Sequence, residues 1–252
     1  MTFSIVGYDL EADQVGIGLT TVTMAAGGTC PSYSPSGDIV VVQAFGNPVA
    51  GVAGVRALEA GKGLNNAVTA MRTADPSFSY RQIGIVTRNG ELFSHTGENA
   101  RPWAGHIQGD NFVAMGNVLT GRPVVDAMAD AFSTSVNETL AERLLLALEA
   151  GRDAGGQQAP GGRHYDERSC LLKVIGNDVG REVPALDLRL DMTSDAVTEM
   201  RRFWEIYKPV VPFRAARAAD PASIPSTYDW ERQNLDKNPP PSTIKVEVLD
   251  GD

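Results

Sequence analysis

A chain of 252 residues, 42% of them hydrophobic, is long enough to bury one sizeable core, and its formal net charge of -9 excludes the basic footprint that duplex nucleic acid or an anionic membrane surface demands. The two cysteines, Cys30 and Cys170, make neither a disulfide framework nor a zinc spacing, and no apolar run approaches the roughly 20 residues that cross a bilayer. The first residues carry neither a basic segment nor a sustained apolar stretch, so a reducing cytoplasm is the expected location.

Phe3 and Ile5 alternate with Thr2 and Ser4, which predicts a half-buried strand at the start of the chain. Val15, Ile17 and Leu19 repeat the period of two, and the continuous run around Ile39–Val42 predicts a strand covered on both faces. A helix follows from Pro48, with Val52, Val55 and Leu58 on one side and Gly61 as its stop, and a second helix carries Ala67, Val68 and Met71. Residues 81–97 then read as a hairpin turning at Asn89-Gly90, the pair favoured in type I′ turns. The segment 110–117 supplies another strand, preceded by a loop holding Trp103 and His106.

Two further helices are predicted, one with Val124, Val125, Met128 and Phe132, the other opening at a Ser135-x-x-Glu138 capping box and burying Leu140, Leu144, Leu145 and Leu148. A glycine-rich loop occupies 151–167. The segments 168–176 and 183–191 form a second strand pair, joined by a polar turn over 177–182. A helix capped by Ser194 then places Val197, Met200, Phe203, Trp204 and Tyr207 on one face.

Strands arrive in antiparallel blocks separated by helix pairs, which disfavours a parallel sheet and predicts an α+β protein: a four-layer αββα sandwich of two antiparallel sheets with helices outside each. The domain is expected to span 1–208, with 209–252 as a C-terminal extension. Seven of the 15 prolines lie at or beyond Pro209, and such a segment cannot build a core of its own. It is expected to lie across a neighbouring subunit of a homo-oligomer, with 243–249 extended as an edge strand.

Several segments together resemble the domain of unknown function 1028 family. They are MTFSIV at the start, QAFGNP at 43–48 with its helix, RQIGIV at 81–86, HTGENARPWAGH at 95–106, GNVLTG at 116–121, AERLLLALEAG at 141–151 and ALDLRLD at 185–191. The resemblance covers about residues 2–208 and implies an N-terminal-nucleophile (Ntn) hydrolase-like fold. It departs from the family's pattern at Met115, where glutamine is usual, and in the long loop before Ser169.

Removal of Met1 would expose Thr2, whose own α-amine can serve as general base for its hydroxyl, as amide hydrolysis through an acyl-enzyme requires. Asn47 and Asn117, at strand ends, are candidate oxyanion donors; turn chemistry is the structural alternative for both. His106 is a candidate acid or base, Gln43, Arg81 and Trp103 are candidate substrate contacts, and Thr20, Thr21 and Thr23 are candidate cleft-lining hydroxyls. Gln43, Asn47, His106 and Asn117 are expected to converge near the N-terminal strand. No metal and no organic cofactor is expected, since the three histidines, His95, His106 and His164, are dispersed without a ligand pattern. The expected function is hydrolysis of a small, polar, amide-containing substrate; the alternative is a non-catalytic ligand-binding or assembly protein using the same cleft.

Overall fold

The structure, a computed structural model, describes residues 1–159, 161–176 and 184–235. It divides into two compact units, Met1–Trp204 and Glu205–Asp252. The strands are β1 (Thr2–Asp9), β2 (Gln14–Thr21), β3 (Pro31–Tyr33), β4 (Ile39–Ala44), β5 (Arg81–Val86), β6 (Leu92–Thr96), β7 (Ala104–Gln108), β8 (Phe112–Asn117), β9 (Ser169–Ile175) and β10 (Leu186–Leu190). The helices are α1 (Pro48–Glu59), α2 (Leu64–Ala74), α3 (Pro123–Thr134), α4 (Leu140–Asp153), α5 (Ala196–Tyr207), α6 (Val210–Ala219) and α7 (Thr227–Asn234).

The strands form two antiparallel sheets, one of six strands in the order β10-β9-β2-β1-β8-β7 and one of four in the order β3-β4-β5-β6. Period-two alternation explains how they stack. Val6, Ile17, Leu19, Val113 and Met115 of the larger sheet share one core with Ile39, Val41 and Val86 of the smaller. The opposite face of the smaller sheet, Val40, Val42, Ile83 and Ile85, packs on Val55 of α1 and Val68 and Met71 of α2. On the outer face of the larger sheet α4 lies close over β2, because the helix-facing positions there are glycines. A Cβ on Gly16 would stand 2.7 Å from Leu144 Cδ1, and one on Gly18 3.2 Å from the Leu144 carbonyl oxygen.

Several local expectations change. Residues 104–108 form the edge strand β7, so His106 lies on a strand and not in a loop; alternating burial is faint at an edge half open to solvent. The Asn89-Gly90 hairpin is not type I′, which needs positive φ at both central residues. Only Gly90 has it, at 82°, with Gly90 N–H donating to the Thr87 carbonyl. Helix α4 opens at Thr139, whose hydroxyl accepts from Glu142 N–H at 3.4 Å; Ser135 instead donates back to the Ala131 carbonyl at the end of α3. Asp195, one residue after Ser194, accepts from Thr198 N–H at 3.2 Å and caps α5. Strand β3 and helices α6 and α7 had no clear periodic signal. In the second unit Phe213 of α6 stacks on Trp230 of α7 with ring centroids 4.4 Å apart. The turn expected over 177–182 and the edge strand expected over 243–249 fall outside the described residues. No described helix is long and apolar enough to cross a membrane.

Candidate active site

The inward faces of five strands turn polar at the same end of the sandwich. Along β1 the inter-sheet positions run Val6, Ser4, Thr2; along β4, Ile39, Val41, Gln43; along β5, Val86, Gly84, Gln82; along β8, Val113, Met115, Asn117. Thr96 closes β6, opposite Gln82 in register. A polar group in that position has lost water and must be bonded inside the protein.

Gln82, fully buried, is the hub that satisfies them. Its Oε1 accepts from Gln43 Nε2 at 2.9 Å and from Asn117 Nδ2 at 3.1 Å. Its Nε2 lies 2.9 Å from Thr96 Oγ1, 3.0 Å from the Gly105 carbonyl and 2.9 Å from the Gly116 carbonyl, so two protons serve three acceptors. Gln43 Oε1 in turn accepts from Ser4 Oγ at 2.7 Å. Thr96 Oγ1 and His106 Nδ1 share a 2.8 Å hydrogen bond, and partial burial of that ring lowers its pKa. Gln43, Asn117 and His106 therefore belong to one network, with Gln82 and Thr96 as the members that the sequence did not single out.

Thr2 stands at the open end of this network, buried, and in register with Thr21 on one side and Asn117 on the other. Its hydroxyl donates to Thr21 Oγ1 at a long 3.3 Å, and Thr21 Oγ1 donates to the Met1 carbonyl. Thr23 N–H donates back to Thr21 Oγ1 at 3.1 Å, which fixes that hydroxyl. The Met1 amine is held below its ordinary pKa, chiefly by burial, with Arg101 adding to the effect. One atom breaks the pattern: Asn117 Oδ1 is buried and has no hydrogen-bond partner.

The chain leaves the site through strained backbone. Ala44 and Val118, each one residue past Gln43 and Asn117, have φ of 72° and 54°, and a β-branched residue is poorly tolerated in that region.

Asn47 and Arg81 are placed apart from this network. Asn47 caps α1, its side chain accepting from Val49 N–H at 3.1 Å. Arg81 grips Asp75 at 2.7 and 3.2 Å and also donates to the Phe45 carbonyl, so its fork is already occupied. That guanidinium, first among the causes, holds the Asp75 carboxyl below its usual range. Trp103 is half-buried beside β7, its ring against Gly105 and its carbonyl accepting from Leu119 N–H at 3.1 Å. Thr20 donates to the Ser169 carbonyl at 2.9 Å and points away from Thr2. No cluster of three or more histidine, cysteine or acidic side chains suited to a metal occurs among the described residues.

Fold and site together define an α+β protein of two stacked antiparallel sheets with a buried polar network closing on its N-terminal strand. The chain belongs to the family of unknown function DUF1028, whose model matches residues 2–200. It is similar to the crystal structure of a DUF1028 protein from Silicibacter pomeroyi, with 25% identity and a TM-score of 0.72 over 82% of this chain and 86% of that one. The Anbu (ancestral beta-subunit) protein from Yersinia bercovieri is 11% identical over 85% of this chain and 97% of that one, at a TM-score of 0.36, too low to define a shared fold. No curated protein matches the sequence.

Proposed function

We propose that this protein is a hydrolase of small amides, with Thr2 as an N-terminal nucleophile, on the four-layer αββα frame of the Ntn hydrolases. The observation that carries the reading is the unpartnered oxygen of Asn117, directly across from Thr2 in a site where the neighbouring amides are bonded. A buried acceptor without a donor costs about 1–3 kcal/mol. Removal of Met1 would give the Thr2 nitrogen further N–H groups opposite Asn117, a candidate donor for that oxygen.

The same removal frees the Thr21 hydroxyl, now bonded to the Met1 carbonyl, for a substrate carbonyl oxygen. Thr21 thereby takes the oxyanion role expected of Asn47 and Asn117, whose side chains cap a helix and bond Gln82. Thr2 Oγ attacks the amide carbon while its proton passes to the α-amine. Collapse of the tetrahedral oxyanion breaks the C–N bond, and the ammonium returns the proton to the departing amine. Water, giving its proton to the α-amine, then attacks the threonyl ester; the ester C–O bond breaks, the ammonium returns the proton to Thr2 Oγ, and the acid leaves. Burial depresses the pKa of the Met1 amine at this end of β1, and the same burial would act on a Thr2 amine in the direction of the free base that the mechanism requires.

The second reading is a non-catalytic ligand-binding protein on the same frame. The bond between Thr21 and the Met1 carbonyl favours it wherever Met1 is retained, because Thr2 nitrogen is then an amide and no base. Intact mass and N-terminal sequencing of native protein, with turnover across an amide panel, decide between them. The expected result is a chain starting at Thr2, with activity that falls about 1000-fold or more in Thr2→Ala, as removal of a nucleophile does. Retained Met1 in active protein, or full activity in Thr2→Ala, would remove the nucleophile assignment.

A further inference from the structure

We infer that the substrate of this site carries a carboxylate and that Arg101 recognises it. This rests on the hydrolase reading for the word substrate, while the anion site itself stands on geometry.

Arg101 is pinned beside the nucleophile strand: its carbonyl accepts from Val118 N–H at 3.2 Å, one residue beyond Asn117, which pairs with Thr2. From there its side chain spans the open end of the sandwich. The guanidinium carbon lies 5.3 Å from the centroid of the Phe45 ring, two residues beyond Gln43 on the opposite sheet. The same guanidinium acts on the Met1 amine, so its charge is felt at the end of β1.

Neighbouring arginines are committed. Arg81 is locked on Asp75, and Arg168 donates through Nε to the Val22 carbonyl at 2.6 Å. Arg101 is exposed and has no carboxylate or carbonyl partner for its guanidinium among the described residues. In a chain of net charge -9, a cation left unpaired at the mouth of a buried polar site is a local attraction that its surroundings do not neutralise. A cation–π contact with an aromatic face helps hold a guanidinium in place and leaves N–H groups for a bidentate carboxylate. Tyr80 stands edge-on to Phe45, centroids 5.6 Å apart, and both rings are exposed. They make an apolar wall for the carbon chain between the carboxylate and the scissile amide. The class this fits is a short amide bearing a free carboxylate, not a neutral or cationic one.

Calorimetric titration of the full chain with the dicarboxylates malonate to adipate, and with their neutral diamides, tests the site without requiring turnover. At least one diacid is expected to bind, with the corresponding diamide weaker by about ten-fold or more. Arg101→Gln should lose that preference and Arg101→Lys should keep part of it, with circular dichroism unchanged in both. Failure of every diacid to bind at millimolar concentration, or equal binding by wild type and Arg101→Gln, overturns the inference. Diacid binding that depends on Arg101 in a protein without amide turnover would sink the hydrolase reading alone. Turnover of neutral amides in preference to acidic ones, unaffected by Arg101→Gln, would sink this inference alone.

Discussion

Gln82 illustrates what a single residue does here. Replacing it by leucine would strand Gln43 Nε2, Asn117 Nδ2 and the Gly116 carbonyl in a place water does not reach. Gln82→Leu is therefore expected to destabilise the fold by roughly 3 kcal/mol or more, measured by urea unfolding. It should also impair the site through Asn117, although Gln82 makes no bond to Thr2. Asp75 gives the second residue-scale prediction. Its carboxyl is 2% exposed and its pKa is depressed in the fold, first by Arg81. As pH falls through the ordinary carboxylate range, the unfolded chain takes up a proton that the folded chain refuses, so this contribution to stability is present above that range and lost below it. Asp75→Asn should flatten that acid limb in a pH series of melting temperatures. It should also cost about 1–3 kcal/mol near neutral pH, because half-buried Arg81 loses the carboxylate that takes two of its N–H groups and keeps only the Phe45 carbonyl.

At the scale of elements, short polar patterns name a kind of structure better than its place. The pattern Ser/Thr-x-x-Glu occurs at Ser135 and again at Thr139, and both precede the same leucine stripe. The helix begins where its apolar face first meets the sheet, at Leu140, so the later residue is the cap. Thr139→Ala is expected to lower stability by about 1 kcal/mol by thermal or urea unfolding, the usual effect of losing a cap. The hairpin after β5 follows the same logic, since an Asn-Gly pair announces a turn while the loop length selects its type. Asn47 is another case: an asparagine before Pro48 is first a cap for α1, whatever else stands near it.

For the whole molecule, the sandwich places its apolar layer at one end and its polar layer at the other. That gradient is what gathers the residues of the candidate site at one end. The second unit, Glu205–Asp252, includes the proline-rich segment, and α6 and α7 pair through Phe213 and Trp230. If 209–252 joins subunits, as its composition suggests, a chain ending after Lys208 should fold and run as a monomer in light scattering while the full chain does not. An oligomer of unchanged size in the truncated chain would assign assembly to the first unit instead.

The sequence by itself made legible the α+β class, the antiparallel blocks, most helices and the placing of Thr2, Gln43 and Asn117 at strand ends, because these follow from periodicity and local chemistry. It did not single out Gln82, which sits in Arg81–Val86, a strand buried on both faces where nothing in the pattern tells which parity looks inward. It also grouped Asn47 and Arg81 with the site, since proximity in sequence to a strand end resembles proximity to the cleft. Only the stacking of one sheet on the other decided that Gln82 joins β4 to β8 and that Arg101 crosses to Phe45, whereas Arg81 turns to Asp75 within the connection from α2 to β5. Hydrogen bonds between residues far apart in the chain depend on register and on the distance between layers, and neither quantity is written in any local segment.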